Sequence, residues 1–473
     1  MKRYLVETFG CQMNAHDSRR IEEVLGRAGW APTDEPTLAD LIVFNTCSVR
    51  EKAEQKLRSA VGLLRPLKSA RRGLVIAIAG CVAQQEGEKL LRRMTHVDVI
   101  LGPDCIAELP SIVEHVRGGG PPVVRTVFDH EAPAFLVAEP RTSEREAASY
   151  VTVMKGCDER CSFCIVPYTR GSERYRGADE IVREVSGLAR GGVREITLLG
   201  QTVNSWHDPV RGAAEGESEF AALCTRIATE VPSLARLRYT SPHPRHVTDA
   251  LVRAHAELAV LPAHVHLPVQ SGSDRVLRRM IRRYTRDEYV ERAAALRRAR
   301  PRLTLSTDFI VGFPGETEAD FAETLSLVRE VGFVAAFAFK YSPRPYTPAL
   351  KLGDDVPEEV KDERLARLFE LVETQQQAHL ASLVGTLDEV LVEGPSRDGS
   401  GRFVGRSSRH EIVHVTAPAG RDLVGELVRV RIDEAFKHSL AAVLEGEPSA
   451  PRRAPPRARV ALPLVTPSPA GDA

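Results

Sequence analysis

Cys157, Cys161 and Cys164 stand as Cys-x3-Cys-x2-Cys directly after an apolar run. Three thiolates on so tight a loop suit one iron–sulfur cluster; a four-iron cluster takes four thiolates, so three leave one iron open to a small molecule. A structural zinc loop would need a fourth ligand, and none stands nearby. Cys11, Cys47 and Cys81 are far apart in sequence, yet each follows a short apolar run, at residues 4–7, 42–45 and 76–79. Parallel strands gather their carboxyl ends at one edge, where ligands bind, so these loops are expected to build a second three-thiolate site. A single buried thiol is ordinary, but three at equivalent topological positions are not. Cys105, beside Pro103 and Asp104 at a helix start, and Cys224, on an apolar helical face, read as packing.

The elements that must position these groups belong to an α/β chain of three domains. Residues 1–118 alternate strands (4–7, 40–45, 74–79, 97–101) with helices (15–28, 50–64, 83–94), an open parallel α/β sheet ending at a Gly-Gly-Gly-Pro-Pro run over 118–122. Residues 143–375 carry six strand candidates (150–154, 195–199, 236–240, 264–269, 304–311, 334–341), each followed by helical sequence, which implies an incomplete parallel (βα)6 barrel. Ligands of such barrels sit at the carboxyl ends of the strands, which directs attention to the polar Gln201, Asn204, Ser241, Gln270 and Asp308. Residues 376–446 switch to the alternation of a small antiparallel β-barrel, OB-like. The tail, 447–473, holds seven prolines among 27 positions and is expected to be disordered.

Composition excludes several classes. The 473 residues balance 64 Lys and Arg against 64 Asp and Glu, so any nucleic-acid contact must use a local patch. With 43% hydrophobic and 27% charged residues the chain is globular. Eight cysteines are too sparse for a disulfide framework, which points to a reducing, cytoplasmic setting. The charge-free run 73–85 is too short to span a bilayer, and Glu7, Gln12, Asn14 and Asp17 interrupt any leader-like core. The dipeptide Gly-Lys never occurs, which removes a phosphate loop. His243, His264 and His266 near barrel strand ends are expected to be hydrogen-bonded structural residues.

Longer motifs carry a family resemblance. Gly10-Cys-Gln-Met-Asn14, Asn45-Thr-Cys-Ser-Val-Arg-Glu-Lys-Ala-Glu-Gln55, Gly80-Cys-Val-Ala-Gln84, Cys164-Ile-Val-Pro-Tyr-Thr-Arg-Gly171, Gly200-Gln-Thr-Val-Asn204, His266-Leu-Pro-Val-Gln-Ser-Gly-Ser273 and Asp308-Phe-Ile-Val-Gly-Phe-Pro-Gly-Glu316 resemble the methylthiotransferases of the radical S-adenosylmethionine (SAM) superfamily. In that family a cluster domain precedes a radical SAM barrel and a small RNA-binding β-barrel (TRAM); the resemblance covers roughly residues 1–446. It implies two [4Fe-4S] clusters, one on Cys11, Cys47 and Cys81 and one on Cys157, Cys161 and Cys164, with SAM on the open iron of the latter. It further implies transfer of a methylthio group to carbon 2 of N(6)-dimethylallyladenosine on the 3′ side of a tRNA anticodon. One SAM would yield the 5′-deoxyadenosyl radical and another the methyl group.

Phe163, the aromatic before the last cysteine, joins Gln201, Asn204, Ser241, Gln270 and Asp308 as expected SAM contacts. Expected partners are the tRNA anticodon stem-loop and an electron donor such as flavodoxin or ferredoxin, for a monomer without membrane contact. Residues 384–446 contain eight Lys or Arg against ten Asp or Glu, so the RNA role of that module rests on resemblance. Two local basic groups suit RNA: Arg402, Arg406 and Arg409 around Phe403, and Arg170, Arg174 and Arg176 after the cysteine loop. Sister enzymes acting on threonylcarbamoyladenosine or a ribosomal-protein aspartate are disfavoured by Cys11-Gln-Met-Asn14 and Ser48-Val-Arg-Glu-Lys52. A non-catalytic RNA-binding iron–sulfur protein is disfavoured by the open coordination positions. Tyr346 departs from the family pattern, which has Gly after Ser-Pro-Arg-Pro; Tyr175 and Gly177 are also unusual after Gly171.

Overall fold

The computed structural model describes residues 1–48, 51–128, 135–137, 146–210, 219–418 and 420–445; the expected disordered tail lies outside them. The first domain is a six-stranded parallel sheet in the order Ala31–Pro32, Arg3–Phe9, Leu41–Thr46, Val75–Gly80, Val99–Leu101, Val123–Arg125. Its two central strands are buried at every position, because helices cover both faces. Val43, Val75 and Ala77 meet Ile21, Leu25 and Val113 on one side, whereas Ile42, Phe44 and Ile76 meet Leu57, Val61 and Leu90 on the other. The last strand lies past the expected boundary at 118, so the glycine run is a turn within the domain. The single helix expected over 83–94 is two, Cys81–Glu86 and Glu88–Arg93, broken at Gly87 (φ 50°, ψ −128°).

The second domain is the incomplete barrel. Strands Ala148–Thr152, Glu195–Leu199 and Arg236–Tyr239 form one parallel ladder, and His264–His266, Thr304–Val311 and Ala335–Lys340 another. The fourth strand is shorter than the expected 264–269. Pro268 has no N–H to donate, and pairing resumes only at Gln270 opposite Phe309, one residue out of step with His266 opposite Ser306. Thr307 Oγ1 accepts from Val269 N at 3.0 Å, and Gln270 takes up the slip with φ +77°.

Helix Glu358–Ser382 crosses the expected boundary at 375. Its Leu368 and Val372 belong to the barrel core and its Leu380 to the core of the small domain, so one rigid rod joins both. The small domain is a closed barrel of strands Leu387–Pro395, Phe403–Ser407, Ile412–Thr416, Leu440–Leu444 and Leu427–Ala435, in that order. It is OB-like but not wholly antiparallel: Ile412–Thr416 and Leu440–Leu444 run parallel. An odd number of strands cannot alternate direction around a closed ring, so one pair must.

The flanking domains engage the central barrel differently. The small barrel meets the amino ends of the strands: Arg236 donates to Arg406 O (2.7 Å) and Glu389 O (2.8 Å), Arg238 to Ser407 O (3.0 Å), and Thr304 to Arg409 O (3.3 Å). The first domain lays helix Gln12–Arg27 beside the barrel's first strand, with Arg19 on Ser149 (2.9 Å) and His16 on Thr152 (3.2 Å). The helix start thereby reaches the carboxyl ends, where Thr240 Oγ1 contacts Gln12 Oε1 at 3.3 Å.

Candidate metal centres and active site

Cys11, Cys47 and Cys81 follow three neighbouring strands whose ends are in register, Phe9 opposite Thr46 and Thr46 opposite Gly80. Cys11 precedes helix Gln12–Arg27, Cys47 N is held by Phe9 O at 2.9 Å, and Cys81 opens its own helix. The Cys47 thiol hydrogen-bonds that of Cys11 and lowers it to about 6 against the opposing effect of burial. Two fully buried amides brace the group. Asn14 Oδ1 accepts from Cys11 N and Sγ (3.4 and 3.3 Å), and Asn14 Nδ2 donates to Asn45 Oδ1 (3.1 Å). A Cβ at Gly10 would lie 2.4 Å from Asn14 Oδ1, and one at Gly80 (φ +91°) 2.3 Å from Asn45 Oδ1, so the glycines make room for the braces.

The second trio, Cys157, Cys161 and Cys164, lies on the loop after the barrel's first strand and the short strand Met154–Lys155. Gln201 Oε1 accepts from Gly156 N, Thr202 Oγ1 stands 3.0 Å from Cys157 Sγ, and Arg282 Nη1 donates to Cys161 Sγ at 3.3 Å. Glu159 fastens the loop from outside by accepting from His246 Nε2 at 2.8 Å. Burial pushes Cys157 up to about 11 and Cys164 to about 12. A coordinating metal reverses that preference, because a liganding thiol is deprotonated outright.

All eight cysteines are free thiols. Each trio receives an arginine N–H on sulfur: Arg282 on Cys161, and Arg170 on Cys81 at 3.2 Å. Such donors favour thiolate over thiol, so the residues present fit iron–sulfur ligation at both places. Arg170 also pairs with Asp17 at 2.6 Å. It ends helix Val166–Arg170, which starts two residues beyond Cys164 and rises about 6 Å over its length at 1.5 Å per residue. One short helix thus spans from one thiol trio to the other.

The strand-end residues differ in what they can offer. Gln201 keeps a buried Nε2 with no protein partner. Asn204 is instead a brace: its Oδ1 accepts from His243 N (2.7 Å) and its Nδ2 donates to His243 O (3.0 Å), tying the second and third strand ends together. Ser241, at φ +58°, and Gln270 occupy left-handed backbone positions beside the mouth. Asp308 lies within its strand and pairs with His266 Nε2 at 3.3 Å. Phe163 packs on Val276, Met280, Phe313 and Tyr341. His243 caps the short helix Pro244–His246 with one ring nitrogen, as a structural histidine does, and leaves the other without a protein partner. Its Nδ1 accepts from Arg245 N at 3.3 Å and burial holds the ring neutral, so Nε2 carries the proton, buried and without a protein partner. His264 and His266 share a structural partner, Ser306 Oγ, at 2.9 Å each. Arg282 had no sequence signal, since it follows neither a cysteine spacing nor a strand, whereas Thr202 stands in Gly200-Gln-Thr-Val-Asn204 directly after a strand, the signal that could have found it.

Of the expected basic groups, the one after the cysteine loop is buried and forms no RNA patch, whereas Arg402 and Arg406 of the small barrel are partly exposed. Arg170, Arg174 and Arg176 are 4%, 7% and 2% exposed and pair with Asp17, Asp104 and Glu184. Arg409 is buried against Asp388 and Glu411, and Arg402 pairs with Asp398 at 2.8 Å. Cys105 and Cys224 sit in hydrophobic cores, as read. Tyr346 holds φ +69°, which explains why glycine suits that turn.

Residues 3–102 match the model of "Uncharacterized protein family UPF0004" and residues 151–328 that of the Radical SAM superfamily. A tRNA-2-methylthio-N(6)-dimethylallyladenosine synthase of Sorangium cellulosum (strain So ce56) is 59% identical over 493 aligned positions, covering 98% of this chain and 99% of its own. This chain belongs to that synthase family. Its fold is also that of the radical SAM methyltransferase TsrM from Kitasatospora setae. The form with cobalamin and a [4Fe-4S] cluster bound has TM-score 0.53 at 15% identity over 74% of this chain and 77% of TsrM. The form with tryptophan and a SAM analogue has TM-score 0.52 at 14% identity over 74% and 75%. Members of the synthase family are radical SAM enzymes with [4Fe-4S] clusters, and the two thiol trios are where this chain can hold them.

Proposed function

We propose that this chain methylthiolates carbon 2 of N(6)-dimethylallyladenosine, on the 3′ side of the anticodon, in tRNA. The observation that carries the reading is the pair of thiol trios bridged by Arg170, in a chain 59% identical to such a synthase. Cys157, Cys161 and Cys164 would hold one [4Fe-4S] cluster and Cys11, Cys47 and Cys81 the other. When bound, these groups supply, with two SAM molecules, the radical that removes the hydrogen of carbon 2 and the sulfur and methyl that replace it.

The chain's own residues prepare the site. Arg282 holds Cys161, Thr202 holds Cys157, and Gln201 fixes the backbone of Gly156. The unpartnered N–H groups of Gln201 and His243 offer donors to the adenosyl and methionyl parts of SAM, with Phe163, Ser241, Gln270 and Asp308 around them. Asn204 acts indirectly, by holding His243. Helix Gln12–Arg27 is fastened along the barrel's first strand by Arg19 on Ser149 and His16 on Thr152, which holds the first trio against the barrel.

A flavodoxin- or ferredoxin-type donor reduces the site, and the chain works as a cytoplasmic monomer. No described helix is long and apolar enough to cross a membrane. The test is mass spectrometry of nucleosides from dimethylallylated tRNA after anaerobic incubation with the iron-reconstituted chain, dithionite and SAM. The methylthio nucleoside is expected. 5′-Deoxyadenosine without it would move the substrate to a sister class, and neither product would leave an iron–sulfur RNA-binding protein.

A further inference from the structure

The last barrel strand, Ala335–Lys340, runs parallel to Thr304–Val311 with Phe337 opposite Asp308 and Phe339 opposite Ile310. Successive side chains point to opposite faces of a strand. Phe309, Val311 and Ala338 pack with Phe321, Leu325 and Val328 of helix Glu318–Val331, so they face the helix layer. Asp308, Ile310, Phe337 and Phe339 therefore share the other face, toward the barrel interior. There Phe337 is 54% exposed and Phe339 43%.

In a closed barrel, inward side chains pack on one another in layers. An arc of six strands leaves its last inward face uncovered, and here that face carries two large aromatic rings. The surface continues to the cysteine loop, because Ile310 and Phe163 join one apolar cluster with Val276, Met280, Phe313 and Tyr341. It also has a polar border. His266 sets its ring at 69° to Phe337 with centroids 5.9 Å apart, and its Nε2 pairs with Asp308. Flat rings, an aliphatic wall and one hydrogen-bonding edge suit a ligand with the same three parts.

We propose that Phe337 and Phe339 are the seat of the substrate's alkylated purine. The ring stacks on Phe337 with its polar edge toward His266, and the branched alkyl group lies on Phe339 and Ile310. This rests on the function proposed above and names what selects the alkylated base. SAM is a poorer occupant, since its methionyl carboxylate and sulfonium gain nothing from an apolar wall on the sixth barrel strand, whereas the cysteine loop follows the first.

The test uses the reconstituted full chain and a fluorescent anticodon stem-loop, with and without the dimethylallyl group, in an anisotropy titration beside the nucleoside assay. Phe337→Ala is expected to weaken both RNAs about tenfold, as loss of one base–aromatic stack does, and Phe337→Tyr to restore them. Phe339→Ala is expected to weaken only the alkylated RNA, erasing the wild-type preference. Unchanged preference in Phe339→Ala with unchanged affinity in Phe337→Ala would overturn the seat. So would a tenfold loss of SAM binding by equilibrium dialysis with RNA affinity intact, which would assign the rings to SAM. A wild-type chain that forms no methylthio nucleoside would overturn the function itself, and the seat with it.

Discussion

Arg170 of the barrel's cysteine loop donates its Nε–H to Cys81 Sγ of the first domain at 3.2 Å while its Nη2 pairs with Asp17 at 2.6 Å. A residue counted by its position after Cys164 therefore serves the other trio. Charge-assisted hydrogen bonds are worth about 1.5–3 kcal/mol. Arg170→Gln is expected to keep 5′-deoxyadenosine formation but to lower iron bound at the first trio and the methylthio product by about tenfold or more. Iron and sulfide per chain, read beside both products, check this; full iron with full product would sink it.

The two trios should fail differently. Cys161→Ala is expected to abolish SAM cleavage. Cys47→Ala should retain cleavage and lose sulfur insertion. Methylthio product from Cys47→Ala would remove the assignment of the first trio.

Asn204 spends both ends of its amide on the His243 backbone, and is 5% exposed. Asn204→Ala leaves a buried N–H and C=O unsatisfied, at about 1–3 kcal/mol each. The thermal midpoint is expected to fall and the KM for SAM to rise through misplacement of His243. Asn204→Ala with wild-type melting would show that the brace is not needed.

Glu411 ties the long helix to the small barrel. Burial raises its carboxyl, but His379 (2.8 Å), Arg409 (3.1 Å) and Ser407 outweigh that and bring it to about 2 from an ordinary 4.5. Because the folded value is the lower one, the unfolded chain binds more protons between them. The stabilisation, of order 3 kcal/mol, is complete above about pH 4.5 and is lost as pH falls toward 2. Glu411→Gln should flatten the acid limb of a melting-temperature profile; an unchanged acid slope would contradict the assignment.

Tyr346 holds a left-handed backbone (φ +69°) that costs a non-glycine residue about 1–2 kcal/mol. Glycine would relieve it and give back part of the gain in chain entropy. Tyr346→Gly is expected to raise the melting temperature slightly, and a clear fall would mean that the exposed ring contributes contacts of its own.

Much of this molecule is written in local spacing. Cys-x3-Cys-x2-Cys needs only a loop to bring three thiols together, and Cys11, Cys47 and Cys81 each follow a strand that can be recognised by its apolar run, so strand order did the rest. The six barrel strands were legible for the same reason. What local pattern could not decide was whatever depends on a distant partner. Arg170, Arg174 and Arg176 read as a basic surface until Asp17, Asp104 and Glu184 arrive from elsewhere in the chain and bury them. Thr202 and Arg282 become neighbours of sulfur, and Asn204 a brace for His243, only when separate segments of the barrel converge. Pro268 shortens a strand, and a ring of five strands forces one parallel pair, because hydrogen-bond ladders must close in three dimensions. Periodicity reports which face a residue takes; which group stands across from it is settled by packing.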